Sequence, residues 1–221
     1  MGRSDLQACA LDLVELQANL VAQGLPLFDA IVGHSFGGKV ALAALQPTLI
    51  DSFPGLSELW TLDSSPGPLS DLPEDRHEVA RVISALRQIP MPLSDRKALL
   101  TLLPEQGFSL AIAKWMTTNL RRESNEDIFN WRFNLDGVEE MIADYFAQDY
   151  WPLLEKSPQI TRHVLRAERS NRWSKEAIAT LERLDQEQHS FHSHLLMQAG
   201  HWVHVDNPDG LLALMTEQLL N

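Results

Sequence analysis

The sequence predicts an α/β fold: a parallel sheet with flanking helices, interrupted by a helical insertion. Three observations carry this. Short apolar runs of strand length alternate with longer segments of helical period. Each run stops at Gly, Asp or Pro punctuation. The first run passes directly into Gly33-His34-Ser35-Phe36-Gly37-Gly38, a glycine-rich turn between a strand and a helix.

Leu6 to Gln23 carries apolar side chains at helical spacing (Leu11, Val14, Ala18, Val21), widened by Leu13, Leu16 and Leu20. That predicts a largely buried helix, ended by Gly24. Phe28 to Val32, bounded by Pro26 and Gly33, reads as a buried parallel strand. Small and apolar residues from Phe36 to Leu45 predict a helix that stops before Pro47. Leu59 to Leu62 reads as a second buried strand, closed by Asp63 and the turn Ser64-Ser65-Pro66-Gly67-Pro68. From Leu69 to about Lys156 no strand pattern stands out, and helical periods alternate with Pro90, Pro92, Pro104 and Gly107. The expected organisation is a core of residues 1–68 and 157–221 and a helical lid of residues 69–156. The charged run Glu74-Asp75-Arg76-His77-Glu78 reads as a solvated helix start. Strand patterns return at Ile160 to Arg166 and at His194 to Gln198. Asn207-Pro208 then opens a last helix, Asp209 to Leu220, with Leu211, Leu212, Met215 and Leu219 on its apolar face.

Composition narrows the function classes. The chain has 221 residues, 44% hydrophobic and 22% charged, which suits one globular domain with a core of its own. Net charge is −12, and no dense Lys/Arg stripe is present, which argues against a nucleic-acid partner. The single cysteine, Cys9, excludes an internal disulfide framework and fits a reducing, cytoplasmic setting. No apolar run reaches membrane-spanning length, and Arg3, Asp5 and Asp12 interrupt any signal-peptide core. The expected partner is a small molecule.

The glycine-rich turn carries the chemistry. A sharp strand-to-helix reversal strains the backbone at its apex and lifts the Ser35 hydroxyl clear of the sheet. The Phe36 N–H, at the helix start, is then available to a developing oxyanion. Serine is a poor nucleophile without a base. His201 follows the last predicted strand and so falls at the same sheet edge as Ser35. His204 is its competitor, next to a helix start. A third group must orient the imidazole. Asp63, at the end of a strand, is one candidate, with Glu168 and Asp185 as rivals. His189, His192 and His194 cluster before the last strand, but no carboxylate set accompanies them, which weighs against a metal. Trp115, Phe129, Trp131, Phe133, Tyr145, Phe146, Tyr150 and Trp151 read either as core of the insertion or as an apolar wall over an acyl pocket.

These residues resemble the α/β-hydrolase superfamily, in particular the small esterases related to the bacterial YbfF esterase and the mitochondrial abhydrolase-domain lipid hydrolases. The matching stretches are Gly33 to Lys39, Asp63-Ser64-Ser65-Pro66, Trp131-Arg132-Phe133-Asn134-Leu135-Asp136, and Ala199 to Pro208. The first and last are shared across the superfamily; the middle two are more specific. Many members keep their acid after the next-to-last strand, where this chain has Asn171. This branch keeps it after the strand that follows the nucleophile helix, the position of Asp63. The resemblance thus implies a Ser35–His201–Asp63 triad, ester hydrolysis through an acyl-enzyme, and no cofactor; thioesters are close in chemistry. It also implies several further strands before this sequence begins, with Met1-Gly2-Arg3-Ser4 as the tail of a His-Gly-x-Ser loop. On that expectation the chain starts within a domain, and the strand bearing Ser35 becomes an apolar edge. An inactive fragment serving as a binding module is the second expectation from the same residues, and a cofactor-free haloperoxidase-like activity the third.

Overall fold

The computed structural model describes residues 4–69, 73–123, 127–157 and 159–219. The chain divides into two compact units, Met1–Asp71 with Asp144–Asn221, and Leu72–Ala143.

The first unit is built on a four-stranded parallel sheet of β1 (Ala30–His34), β2 (Glu58–Leu62), β5 (Thr161–Ala167) and β6 (Phe191–Leu196), adjacent in that order. Helix α1 (Leu6–Ala22) starts at Asp5, whose carboxylate accepts the Ala8 N–H at 2.8 Å. Gly24, at φ +85°, terminates it. Strand β1 (Ala30–His34) follows, then α2 (Phe36–Ala43), which packs on β1 and on β2 (Glu58–Leu62). β2 is the archetype of a doubly covered strand: Leu59, Trp60 and Thr61 are fully buried.

The second unit contains α3 (Pro73–Gln88), α4 (Leu99–Glu105), α5 (Leu110–Thr117), a short hairpin of β3 (Leu120–Arg122) and β4 (Phe129–Trp131), and most of α6 (Leu135–Ala147). Its own core gathers Leu86, Ile89, Leu93, Leu99, Leu103, Met116 and Leu120. Back in the first unit come α7 (Trp151–Lys156), β5 (Thr161–Ala167), α8 (Lys175–Glu187), β6 (Phe191–Leu196), α9 (Val203–Asp206) and α10 (Pro208–Leu219).

Several sequence expectations need correction. The α1 stripe is not buried: Leu11, Leu16 and Val21 are 50%, 47% and 41% exposed, and the helix buries Leu6, Ala10 and Gln17 instead. Gln17 explains why a polar residue faces inward. It donates to the Ser52 carbonyl at 2.9 Å and accepts the Phe28 N–H at 3.0 Å. Among the described residues β1 has no strand beyond it, and Val32 at its centre is 48% exposed. Helical period thus identified the element, but not its packed face. The β3–β4 hairpin was not anticipated, because three-residue strands are too short to show alternation. Helix α8 was not anticipated either. Ser174 caps it, and only two of its side chains, Leu181 and Leu184, are buried in a mostly polar segment. On α10, Leu211 is buried but Leu212 is 67% exposed. The side chains of Glu74 to Glu78 and of Leu219, together with residues 1–3, 220 and 221, lie outside what the structure describes.

Strand boundaries also moved. β1 ends at His34 rather than Val32, because Gly33 and His34 continue the ladder against Thr61 and Leu62. β6 starts at Phe191, in register with Arg162, and stops before Met197.

Two buried cations lie within this unit. Arg162, fully buried, bonds the Ile160, Leu154 and Ser190 carbonyls, the Gln188 amide oxygen and the Ser190 hydroxyl. Lys39, also fully buried, places its ammonium on the carbonyls of Gly67 (2.8 Å), Tyr145 (2.7 Å) and Gln148 (2.9 Å). Oxygens of this number replace much of the hydration each cation lost on burial.

Candidate active site

In a parallel sheet all carboxyl ends share one edge, where ligands bind. Ser35 follows β1, Asp63 follows β2, Glu168 follows β5, and His201 lies in the segment between β6 and α9. Topology therefore assembles groups that are far apart in sequence.

Ser35 sits at φ 54°, ψ −117°, between strand and helix. Its N–H donates to the Leu62 carbonyl at 3.0 Å, and its carbonyl accepts the Gly38 N–H at 3.0 Å and the Ser64 hydroxyl at 2.7 Å. Positive φ costs a non-glycine residue about 1–3 kcal/mol and persists only where surroundings dictate it. Two glycines dictate it here. A Cβ on Gly33 would lie 2.1 Å from the Gly37 oxygen, and a Cβ on Gly38 2.4 Å from Ser64 Cβ. Gly37, which the motif places beside the serine, has open space at that position. The tight packing is thus at the outer glycines. Phe36 opens α2, so its N–H belongs to the first helical turn, whose donors lack intrahelical acceptors.

Ser35 Oγ lies 2.9 Å from His201 Nε2, and His201 Nδ1 lies 2.8 Å from Asp63 Oδ2. An ionised carboxylate only accepts, so Nδ1 carries the hydrogen. In the neutral ring Nε2 is then the acceptor, and the Ser35 hydroxyl donates to it. Asp63 is fully buried, and the His201 side chain is 19% exposed.

The environment of Asp63 was largely hidden in the sequence. Its Oδ1 accepts the Ala167 N–H at 3.1 Å and the Trp173 indole N–H at 2.8 Å. Its Oδ2 accepts the Ser170 hydroxyl at 2.7 Å in addition to His201. Burial opposes ionisation. The bonds from His201, Trp173, Ala167 and Ser170 together outweigh it and hold the carboxyl below the ordinary aspartate value. Asp63 itself sits at φ 46°. The loop after β5, where Asn171 stands, thus brings donors to the carboxylate. No local pattern marks Ser170 and Trp173; only the fold brings them to Asp63.

The rival residues have other partners. Glu168 accepts the Gln198 N–H at 2.7 Å, and Asp185 accepts the Ser193 N–H at 3.0 Å. His204 meets the His34 ring edge-on at 5.3 Å. His192 and His194 join His163 under Trp60: the Trp60 and His163 rings stack at 3.9 Å, and His163 Nδ1 lies 3.0 Å from His194 Nε2. Desolvation, with the neighbouring histidines adding to it, pushes His163 to about 3 and His194 to about 4. Among the described residues no group of three or more His, Cys, Asp or Glu could hold a metal ion, and no helix is long and apolar enough to cross a membrane. The aromatics of residues 115–151 sort by environment. Tyr145, Phe146 and Tyr150 are buried in the first unit, Phe36 lies 5.7 Å from Tyr145, Trp131 stacks on Phe133, and Trp115 is 65% exposed.

A parallel sheet with a serine at a strained strand–helix turn and a histidine–aspartate pair beside it is the arrangement of the α/β hydrolases. The sequence matches the profile of the Alpha/beta hydrolase family over residues 1–214, and the chain belongs to that family. No curated protein matches it. Among solved structures it is similar to a marine microorganism esterase, with a TM-score of 0.73 and 21% identity over 96% of this chain and 77% of that one. It is also similar to an esterase from Mycobacterium tuberculosis (TM-score 0.54, 22% identity, 98% and 68% of the two chains). A third is a carboxylesterase structure from the thaumarchaeon Nitrososphaera gargenis (TM-score 0.62, 14% identity, 100% and 73%). At these identities the likeness is one of fold.

Proposed function

We propose that this α/β hydrolase is a carboxylic-ester hydrolase that works through an acyl-enzyme on Ser35. The observation that carries the reading is the relay from Ser35 Oγ to His201 Nε2 at 2.9 Å and from His201 Nδ1 to Asp63 Oδ2 at 2.8 Å. Ser35 Oγ attacks the acyl carbon while His201 Nε2 takes its proton. The Phe36 N–H stabilises the oxyanion. The imidazolium then protonates the leaving alkoxide, and the alcohol departs. Water, deprotonated by His201, attacks the acyl-enzyme and releases the acid. Asp63, kept anionic by its donors, holds the imidazole tautomer and offsets its positive charge in the transition state.

The position of Asp63 after β2 favours the branch of small serine esterases named above. On this reading the lid expected over residues 69–156 is the second unit, Leu72–Ala143, and its aromatic residues Trp115, Phe129, Trp131 and Phe133 favour an apolar acyl chain. The test is fluorophosphonate labelling of the chain, with Ser35→Ala as control and the modified peptide read by mass spectrometry. A p-nitrophenyl ester series of increasing acyl length follows. Labelling at Ser35 with ester turnover is expected. A folded wild-type chain that neither labels nor hydrolyses any ester would overturn the proposal.

A further inference from the structure

We infer that His34 is a positioning residue that fixes the His201 segment against the end of β1, through a hydrogen bond from its imidazole to the His201 backbone carbonyl. The inference rests on the reading of Ser35 and His201 as nucleophile and base.

The geometry is specific. His34 Nε2 lies 2.7 Å from the His201 carbonyl oxygen. A carbonyl only accepts, so Nε2 carries the hydrogen and donates it. The His34 ring also lies 4.8 Å from the His201 ring, 5.7 Å from Trp202 and 5.3 Å from His204. It thus touches the base and two of the three residues that follow it.

Topology explains why such a bond matters. Ser35 follows β1 and His201 follows β6, the two outermost strands of the order β1-β2-β5-β6. The His201 segment must therefore reach back across the sheet end. Its other backbone ties run elsewhere. Gly200 N–H bonds Asp206, the Met197 carbonyl takes the Asn207 amide, and the Ala199 carbonyl takes the Arg169 N–H. These hold the segment to itself and to the loop after β5. His34 is the last residue of β1, locked in register with Leu62 and adjacent to Ser35. It ties the base's own main chain to the strand that carries the nucleophile. A misplacement of about 1 Å between reacting groups can cost on the order of 100-fold in rate. Burial also keeps the His34 ring below the ordinary histidine value. A neutral ring beside His201 does not repel the imidazolium formed during turnover.

Two substitutions separate the hydrogen bond from simple packing. His34→Phe keeps an aromatic ring but has no N–H. His34→Gln has an amide N–H at similar reach but no ring. Both are compared with wild type by thermal melting, by the rate of fluorophosphonate labelling, and by kcat and KM on a p-nitrophenyl ester. Expected is a His34→Phe labelling rate and kcat reduced about 30-fold or more with KM within about twofold, and a His34→Gln variant within about fivefold of wild type. His34→Phe labelling at the wild-type rate would overturn the inference. So would His34→Gln as slow as His34→Phe when both melt like wild type. Histidine-selective ¹⁵N NMR on the wild-type chain decides the matter if neither variant folds: His34 protonated at Nε2 supports the bond, and a neutral ring protonated at Nδ1 overturns it. A folded wild type that does not label at all sinks the esterase proposal instead, and the NMR result still judges the bond.

Discussion

Trp173 Nε1 lies 2.8 Å from Asp63 Oδ1, although 110 residues separate the two. The indole N–H donates to one carboxylate oxygen while His201 occupies the other. Replacing Trp173 by Phe removes one donor from a fully buried carboxylate, a loss of about 1–3 kcal/mol. The bonds to Asp63 favour its anion, so their stabilisation is present above the unfolded aspartate value and is lost as pH falls through the lowered folded value. Without the indole the folded value rises. Trp173→Phe is expected to be less stable than wild type at pH 7 and to lose less stability on acidification, because the folded and unfolded aspartate values lie closer together, measured by urea unfolding from pH 7 downward.

Asp63→Asn keeps the shape but removes the charge that orients His201. By analogy with serine hydrolases whose triad acid is made an amide, kcat is expected to fall about 10⁴-fold, with the fold retained. Glu168→Gln and Asp185→Asn change carboxylates that bond backbone N–H groups elsewhere, and each is expected to stay within about threefold of wild-type kcat. Steady-state ester hydrolysis by the three variants checks this. A drop at Glu168 or Asp185 equal to that at Asp63 would defeat the assignment of the acid.

The His163–His194 pair makes the first unit acid-sensitive. Both rings are held neutral, at about 3 and about 4, whereas an unfolded histidine titrates near 6.5. Below about pH 6.5 the unfolded chain takes up protons that the folded chain refuses. Stability is therefore full above 6.5 and falls as pH drops toward 4, by about 1.4 kcal/mol per pH unit for each ring. Urea midpoints between pH 7.5 and 5 should show this slope. His194→Gln should reduce it by about one proton's share.

Glycine tolerance should not follow the motif. Gly33→Ala and Gly38→Ala drive a Cβ into backbone oxygen and into Ser64, respectively. Each is expected to cost about 3 kcal/mol or more, or to prevent folding. Gly37→Ala meets nothing within 4 Å and, within a helix, is expected to be neutral or stabilising by about 0.5–1 kcal/mol. Thermal melts of the three variants decide it.

Lys39→Met leaves the carbonyls of Gly67, Tyr145 and Gln148 without their ammonium partner. At about 1–3 kcal/mol for each buried acceptor left unpaired, less what is regained by not burying a charge, a net loss of about 2–4 kcal/mol is expected. Denaturant unfolding measures it, and an unchanged midpoint would show that the three bonds do not stabilise the fold.

The α/β class, the parallel strands and the Ser35 turn were legible from sequence because their signals are local. A buried strand must be apolar along a few consecutive residues, and a reversal at positive φ needs glycine nearby. Asp63 was one of three acids on residue pattern alone, and it stood out only through resemblance to a known family. What the tertiary structure decided was partnership. It turned the apolar stripe of α1 outward, placed Gln17, Lys39 and Arg162 inside with their carbonyls, and brought Ser170 and Trp173 to Asp63 and His34 to the His201 carbonyl. Those outcomes depend on which surfaces and groups meet across up to 167 residues. Helical period and composition record that a residue can be buried, but the partner that makes its burial favourable is set by the packing of distant segments.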